Sequence, residues 1–473
     1  TKMDKNEDGF LDNPLAKQIN ILNRYQYYDA EKGWVSFINF RYMNDKKQTG
    51  QINFNPNKDR GTTNFWGSEI NTERLDITTK LGYVFKDLPY QSIGFQNAFT
   101  THNQQSYFGL SQYNIKQNSY YSNLIFNSII NNTMNKFATG MNFTLDNYQE
   151  LVTTQNWSRT DNSIGAFFEY TYDNSDNFSL ILGGRIDNHN RLGTFVTPRL
   201  HLRYNPWAKA VVRFSAGRGK RSANIFAESQ SLFASSRALS ILDTNGKMYG
   251  LNPEIAWNYG TSFTQSFMLF GKSADLTLDW YRTDFQNQVV VDVMQSSQQA
   301  LFYNLKGKSF ANSFQIEFNY EMVKNIRLRS AYKMYDVQTD YLSGTFQKPL
   351  QAKNRFFGNL EYQTAPRNNS QHWKFDFTYN WIGEQQLPNT QSNPISSRLP
   401  DFSPAYSLMN TQITRVFSPV FEMYVGGENI GNYMQSKAVL GAENPFGAIF
   451  DSSIVYAPVF GQMYYAGLRF KIK

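Results

Sequence analysis

The chain contains no cysteine, which excludes a disulfide framework and any thiolate metal site. It also lacks any stretch approaching the ~18 uncharged apolar residues of a membrane-crossing helix, and its mean hydropathy is −0.54. A helical membrane protein is therefore excluded. No Pro/Ser linker, block of like charge or change of texture divides the 473 residues. Several soluble domains, which such a length would need, have no boundary at which to meet. Lys and Arg number 46 against 38 Asp and Glu, a formal charge of +8 with both signs spread along the chain. A nucleic-acid surface needs basic residues clustered on one element, so no nucleic-acid partner is implied. Thr1-Lys2-Met3-Asp4 shows no secretory signal.

What the sequence has in quantity is alternation. Phe314, Ile316, Phe318 and Tyr320 alternate with Gln315, Glu317, Asn319 and Glu321, and Phe375, Phe377, Tyr379 and Trp381 with Asp376, Thr378 and Asn380. Strand side chains point to opposite faces with period two, so each stretch has one apolar and one polar face. Repeated from end to end, the pattern predicts an all-β, antiparallel transmembrane β-barrel, with lipid outside and water or polar protein inside. The 16% aromatic content, with 30 Tyr and 39 Phe, suits the interfacial girdles of such a wall.

About 19 strands of roughly 8–16 residues are predicted, a length that suits tilted crossings. They form pairs across tight turns, such as Tyr90–His102 after Thr72–Lys86, Met134–Asn147 after Ser119–Ile130, and Asn177–Asp187 after Asn162–Tyr172. Met463–Ile472 comes last. Longer connections separate the pairs, among them Asn44–Asn71, Asn103–Asn118, Tyr148–Asp161, Arg218–Pro253, Asn287–Ser309, Gly383–Ala405 and Gly431–Gln462. Tight turns on one side and long loops on the other assign the turns to the periplasm and the loops to the cell surface. The whole span 1–473 reads as one barrel domain with extracellular loops.

The ending Tyr464-Tyr465-Ala466-Gly467-Leu468-Arg469-Phe470-Lys471-Ile472-Lys473 resembles the carboxy-terminal signal of inserted barrels, with Phe470 and Ile472 at its apolar positions. Gly426-Gly427-Glu428-Asn429-Ile430-Gly431-Asn432-Tyr433 resembles a strand end of TonB-dependent outer-membrane receptors. Pro198-Arg199-Leu200, Phe214-Ser215-Ala216-Gly217-Arg218-Gly219 and Leu251-Asn252-Pro253-Glu254 agree with it in order. The texture is similar to receptors of Bacteroidota, including Asn444-Pro445-Phe446-Gly447 and Tyr456-Ala457-Pro458. The resemblance implies a barrel of about 22 strands around a plug, importing a scarce nutrient with energy passed on by TonB. The plug, the TonB box and the first strands have no counterpart in this sequence. The expectation is of a barrel portion whose last strand needs a first strand not found here.

Asp4-Lys5-Asn6-Glu7-Asp8-Gly9-Phe10-Leu11-Asp12 carries oxygen ligands at the spacing of a Ca²⁺ loop, with glycine at the sharp turn. Asp4, Asn6, Asp8 and Asp12 would supply side chains and Phe10 its backbone carbonyl. The twelfth position, a glutamate in an EF-hand, is Leu15. Ca²⁺ is expected to be a structural clamp on a surface loop; the alternative is a solvated acidic turn. His102, His189, His201 and His372 have no neighbour at ligand spacing.

Arg185, Arg199, His201, Arg203, Arg213, Arg327, Arg329 and Lys333 alternate with apolar residues and should face the lumen. There they would pair with plug carboxylates or line a path for an anionic solute, the former being favoured. Trp34, Trp207, Trp280, Trp373 and Trp381 are expected in the aromatic girdles. No nucleophile elbow or phosphate loop stands out, so no enzyme and no catalytic residue is expected. The partners implied are outer-membrane lipid, TonB through a plug, and a surface-exposed lipoprotein or other complex subunit docking on the long loops. The function implied is TonB-dependent uptake of an unidentified nutrient. A non-transporting scaffold of the same fold and a passive porin are the alternatives.

Overall fold

In the computed structural model, which describes residues 2–367 and 370–471, one 20-stranded antiparallel sheet forms the wall. All but the short arm Gly344–Gln347 are wall strands. In chain order they are β1 (Leu15–Asp29), β2 (Trp34–Gly50), β3 (Gly67–Phe85), β4 (Leu88–Phe108), β5 (Ser111–Ile130), β6 (Asn132–Val152), β7 (Gln155–Asp173), β8 (Phe178–His189), β9 (Gly193–Tyr204) and β10 (Ala210–Arg221). There follow β11 (Glu254–Leu269), β12 (Lys272–Asn287), β13 (Ser309–Val323), β14 (Ile326–Tyr341), β15 (Asn354–Gln363), β16 (His372–Ile382), β17 (Tyr406–Ser418), β18 (Phe421–Glu428) and β19 (Met463–Phe470). Each pairs with the one before it. Ile472, expected to end the last strand, lies outside the described residues.

The outer face is set by exposed apolar side chains at every second position. In β4 they are Ile93, Phe95 and Phe99; in β7, Ile164 and Phe168. Near the tight turns, aromatic rings form an interfacial belt: Trp34 meets Tyr83 at 4.9 Å, Trp207 meets Phe263 at 6.2 Å and Phe421 meets Phe470 at 4.7 Å. Trp34, Trp207, Trp280 and Trp373 are exposed as expected, whereas Trp381 is half-buried.

Two predicted loops turn out to be strand. β4 and β5 stay in register from Ser92–Asn127 up to Phe108–Ser111, and β6 and β7 from Asn135–Tyr172 up to Val152–Gln155. Asn103–Asn118 and Tyr148–Asp161 are therefore tall hairpins, closed by turns at Gly109 and Thr153. The alternation changes phase above the lipid, which hides the strands from a period-two reading. Within the membrane the apolar residues point outward; above it Phe108, Tyr113, Ile115 and Val152 are buried on the inner side. Gly109 has a φ of +58°, and a Cβ there would lie 2.5 Å from the Trp66 indole nitrogen. Only glycine closes that tip without displacing Trp66.

The sheet has two edges. Neither β1 nor β19 pairs with the other among the described residues. From Ala16 to Tyr28 every residue of β1 is exposed, on both faces.

Candidate functional site

The long loops of the cell-surface side fold together into one cap. Residues 222–253 turn back over the inner face of β4–β7 through the short helix Ile225–Glu228 and the 3₁₀ turn Gln230–Ala234. Ile225, Phe226, Leu232 and Phe233 are buried there. The Phe233 ring stacks at 5.2 Å on Tyr113 and 5.9 Å on Phe108, and Tyr249 packs edge-on at 5.4 Å against Phe226 and Trp157. Each such ring contributes roughly 1.5–3 kcal/mol by burial.

A buried polar cluster locks this loop to the wall. Arg159 of β7 bonds Glu150 at 3.2 Å and Asp161 at 3.1 Å, and its side chain is only 7% exposed. Its guanidinium lies 3.9 Å from the Tyr148 ring centre and also reaches Asn224 and Tyr249 of the loop. Tyr113 and Tyr249 both donate their hydroxyls to Glu150. Burial, and then the Glu150 charge, push the Tyr249 phenol up, so it stays a donor.

Arg237 joins the remaining loops. Its side chain is 1% exposed; Nε donates to Asp451 at 2.9 Å, Nη1 to Ser296 O at 2.7 Å and Nη2 to Asn389 O at 3.3 Å. One guanidinium thus ties residues 222–253 to 288–308, 383–405 and 429–462. The last loop then reaches the amino-terminal segment: Phe450 stacks on Phe10 at 5.9 Å and meets Trp66 at 4.9 Å.

A cavity of about 790 Å³ opens between the β6–β7 tip and the folded loop. Thr153, Thr154, Gln155 and Trp157 face Phe226, Phe233, Leu239 and Ile241 across it. Arg237 and Asp243 are its charged lining residues. Both are engaged, the first by Asp451 and the second by the Asn304 N–H at 2.7 Å. The cavity presents hydroxyls, amides and rings, with Asp243 its one lining charge that has no ion pair among the described residues.

Of the residues singled out from the sequence, Asp4, Asn6, Asp8 and Asp12 occupy one tight turn with Phe10. Asp4 accepts the N–H of Asp8 at 3.1 Å and of Gly9 at 2.9 Å. Asp8 accepts that of Phe10 at 2.9 Å, and Asp12 that of Lys5 at 2.9 Å. Asn6 donates to Asp8 at 2.9 Å. Gly9 sits at φ +83° and Phe10 is buried against the cap. The donor set is hard oxygen, as Ca²⁺ requires, and no Lys or Arg forms an ion pair with these carboxylates among the described residues. The described residues contain no convergent group of three or more His, Cys, Asp or Glu side chains able to hold a metal as they stand. Burial, and then repulsion from Asp4 and Asp8, raise the Asp12 carboxyl.

The eight basic side chains expected to face inward all lie opposite the exposed apolar positions of their strands. Two of them have partners in the wall itself: Arg185 bonds Asp187 at 2.6 Å, and Arg199 bonds Glu169. For these two, neither a plug carboxylate nor an anionic solute is needed. His189 caps a surface turn by accepting the N–H of Arg191 at 3.1 Å. The cap residues Arg159, Glu150, Arg237 and Asp451 escaped the sequence reading. Arg159-Thr160-Asp161 carried a usable signal, because residues two apart on a strand share a face. Arg237 and Asp451 stand 214 positions apart and carried none.

An antiparallel wall with an apolar outer face, aromatic belts, tight turns on one side and a packed loop cap on the other defines an outer-membrane β-barrel protein. The chain belongs to the family "TonB dependent receptor-like, beta-barrel", whose model matches residues 5–430. In fold it is similar to the pyoverdine-bound FpvA of Pseudomonas aeruginosa, with a TM-score of 0.68 and 12% identity, covering 96% of this chain and 65% of that one. The siderophore receptor PiuA of Acinetobacter baumannii gives 0.67 at 12% identity, covering 99% and 76%. The alcaligin receptor FauA of Bordetella pertussis gives 0.57 at 13%, covering 88% and 66%. The chain thus spans less than two thirds of the first of these structures. No curated protein matches it by sequence.

Proposed function

We propose that this chain is the wall and ligand-binding face of a receptor that takes up a scarce nutrient across the outer membrane with energy passed on by TonB. The observation that carries this reading is the family match over residues 5–430. The cap supports it: its loops are packed into one body over the inner face instead of standing open as independent flaps. The partners of the reading are TonB, reached through a plug, the surrounding lipid, and a surface lipoprotein docked on the cap. Its Bacteroidota affiliation rests on the texture of the last loop, Asn444-Pro445-Phe446-Gly447.

Uptake of iron-loaded catecholate and hydroxamate siderophores and of labelled oligopeptides tests it, in cells with and without the gene. One class should accumulate only where the gene is present and only in the absence of a protonophore. Gene-dependent entry that ignores the protonophore would instead indicate a passive pore.

We also propose that Asp4, Asn6, Asp8 and Asp12, with the Phe10 carbonyl, hold Ca²⁺ as a structural clamp. Support comes from the oxygen donor set, the closed turn and the repulsion felt by Asp12. The role is positional: the turn carries Phe10 into contact with Phe450 and Trp66. Calcium titration read by protease protection of the cap is the measurement, and absence of both binding and protection sinks the idea.

A further inference from the structure

The cap contains a small second sheet, and one of its edges opens onto the cavity. Ala238–Ile241 runs parallel to Gln299–Asn304, which pairs antiparallel with Val289–Asp292. Ala238 N–H donates to Gln298 O at 2.8 Å and Leu242 N–H to Phe302 O at 2.9 Å. The even-numbered residues of this strand therefore face its neighbour. Successive peptide groups of a strand point to opposite edges. The N–H and C=O groups of Leu239 and Ile241 accordingly point away from the sheet, and no backbone partner takes them among the described residues.

Leu239 and Ile241 both line the cavity of about 790 Å³. Both residues are half-buried, so their outward backbone groups are within reach of an added chain, and this pair repeats at two residues, about 6.6–6.8 Å along a strand. That repeat matches the amide spacing of another extended chain. The flanking chemistry narrows the occupant further. Trp157, Phe226 and Phe233 offer apolar faces, Thr153, Thr154 and Gln155 offer neutral polar ones, and the one lining cation, Arg237, is paired with Asp451 while Asp243 accepts the Asn304 N–H. An anionic chelate would find no free cation here.

We propose that the cavity binds an extended, uncharged peptide segment, which adds as a strand to the Leu239–Ile241 edge and places alternate side chains on the Trp157, Phe226 and Phe233 rings. Main-chain hydrogen bonds would hold the segment and the rings would select its side chains, the usual division in strand addition. The proposal rests on reading the cap as the ligand-binding face, but its test involves binding alone and needs no transport.

The test uses the whole protein in lipid nanodiscs and a pool of capped hexapeptides built from Ser, Thr, Ala and Val, with affinity read by calorimetry. Members should bind, and N-methylation of alternate backbone nitrogens should weaken binding at least tenfold in one register and little in the other. Ile241→Pro removes an outward N–H without removing a ladder bond, and should weaken binding at least tenfold while the loop at 222–253 keeps its protease resistance. Should that variant lose resistance, Thr154→Trp at the exposed mouth serves instead, with the same loss expected. No binding by the pool, or equal weakening by both methylation registers, overturns the proposal. Slow amide exchange at Leu239 and Ile241 without added peptide also overturns it, since a segment of the same protein would then occupy the edge. Peptide binding without energised uptake would leave this proposal standing and remove the transport reading.

Discussion

Charge buried in the cap is held by single side chains, so single substitutions should expose its construction. Arg237 is 1% exposed, and its removal leaves Asp451 buried without a counter-charge. Breaking a buried pair from one side costs about 3–5 kcal/mol. Arg237→Met should therefore make residues 222–253 and 429–462 sensitive to protease while the wall keeps its heat-resistant mobility on gels. Asp12 tests the opposite sign. Its carboxyl is raised above the ordinary 3.8 by burial and then by Asp4 and Asp8, against a favourable bond from Lys5 N–H. A carboxylate raised in the folded state costs stability progressively as pH climbs from 3.8 through the raised value, and the cost persists above it. A cation that takes the charge reverses this cost, so Ca²⁺ affinity should fall as pH drops toward that raised value. Asp12→Asn should protect residues 2–14 from hydrogen exchange at neutral pH without Ca²⁺, and should abolish their response to the ion.

The tall hairpins show where element-level reading succeeds and where it stops. The membrane spans of β4–β7 are legible because lipid demands apolar residues on the outer face at every second position, as Ile93, Phe95 and Phe99 show. Above the lipid nothing apolar is required outside, and the inner face gains Phe108, Tyr113 and Ile115 to receive a loop. The strand continues, but the phase of its pattern reverses, and a reading tuned to one phase reports a loop. The Asp4–Asp12 turn was legible for a different reason, since the hydrogen bonds that close it, from the N–H groups of Lys5, Asp8, Gly9 and Phe10 to its own carboxylates, are local. The docking of residues 222–253 was not, because its partners lie far back along the chain, 65 positions for Arg159 and Asn224 and 99 for Glu150 and Tyr249. Phe233 is the test of that docking. Phe233→Ala deletes the ring stacked on Tyr113 and Phe108 at a cost of about 3–5 kcal/mol. Hydrogen exchange should quicken across 222–253 and leave the membrane spans of β4–β7 unchanged; equal quickening in both would mean that wall and cap form one cooperative unit.

Over the whole molecule, the cap also joins the segments that lead into the first and last described strands. Lys5 Nζ donates to Gln462 O at 3.0 Å, joining the approach to β1 with the approach to β19. Phe10 and Phe450 stack beside it, so the edges lie near each other at the cell-surface end although neither pairs with the other. The contact between Lys5 and Gln462 would hold these two strands at a set separation at the cell-surface end. With no native cysteine in the sequence, spin labels at Lys17→Cys and Tyr464→Cys report the separation of the first and last described strands directly. Pulsed resonance in nanodiscs should give a narrow distance distribution, broadened by Phe10→Ala as the aromatic contact with Phe450 and Trp66 is lost. If the distribution stays equally narrow, the cap rests on the wall without setting the separation of these two strands.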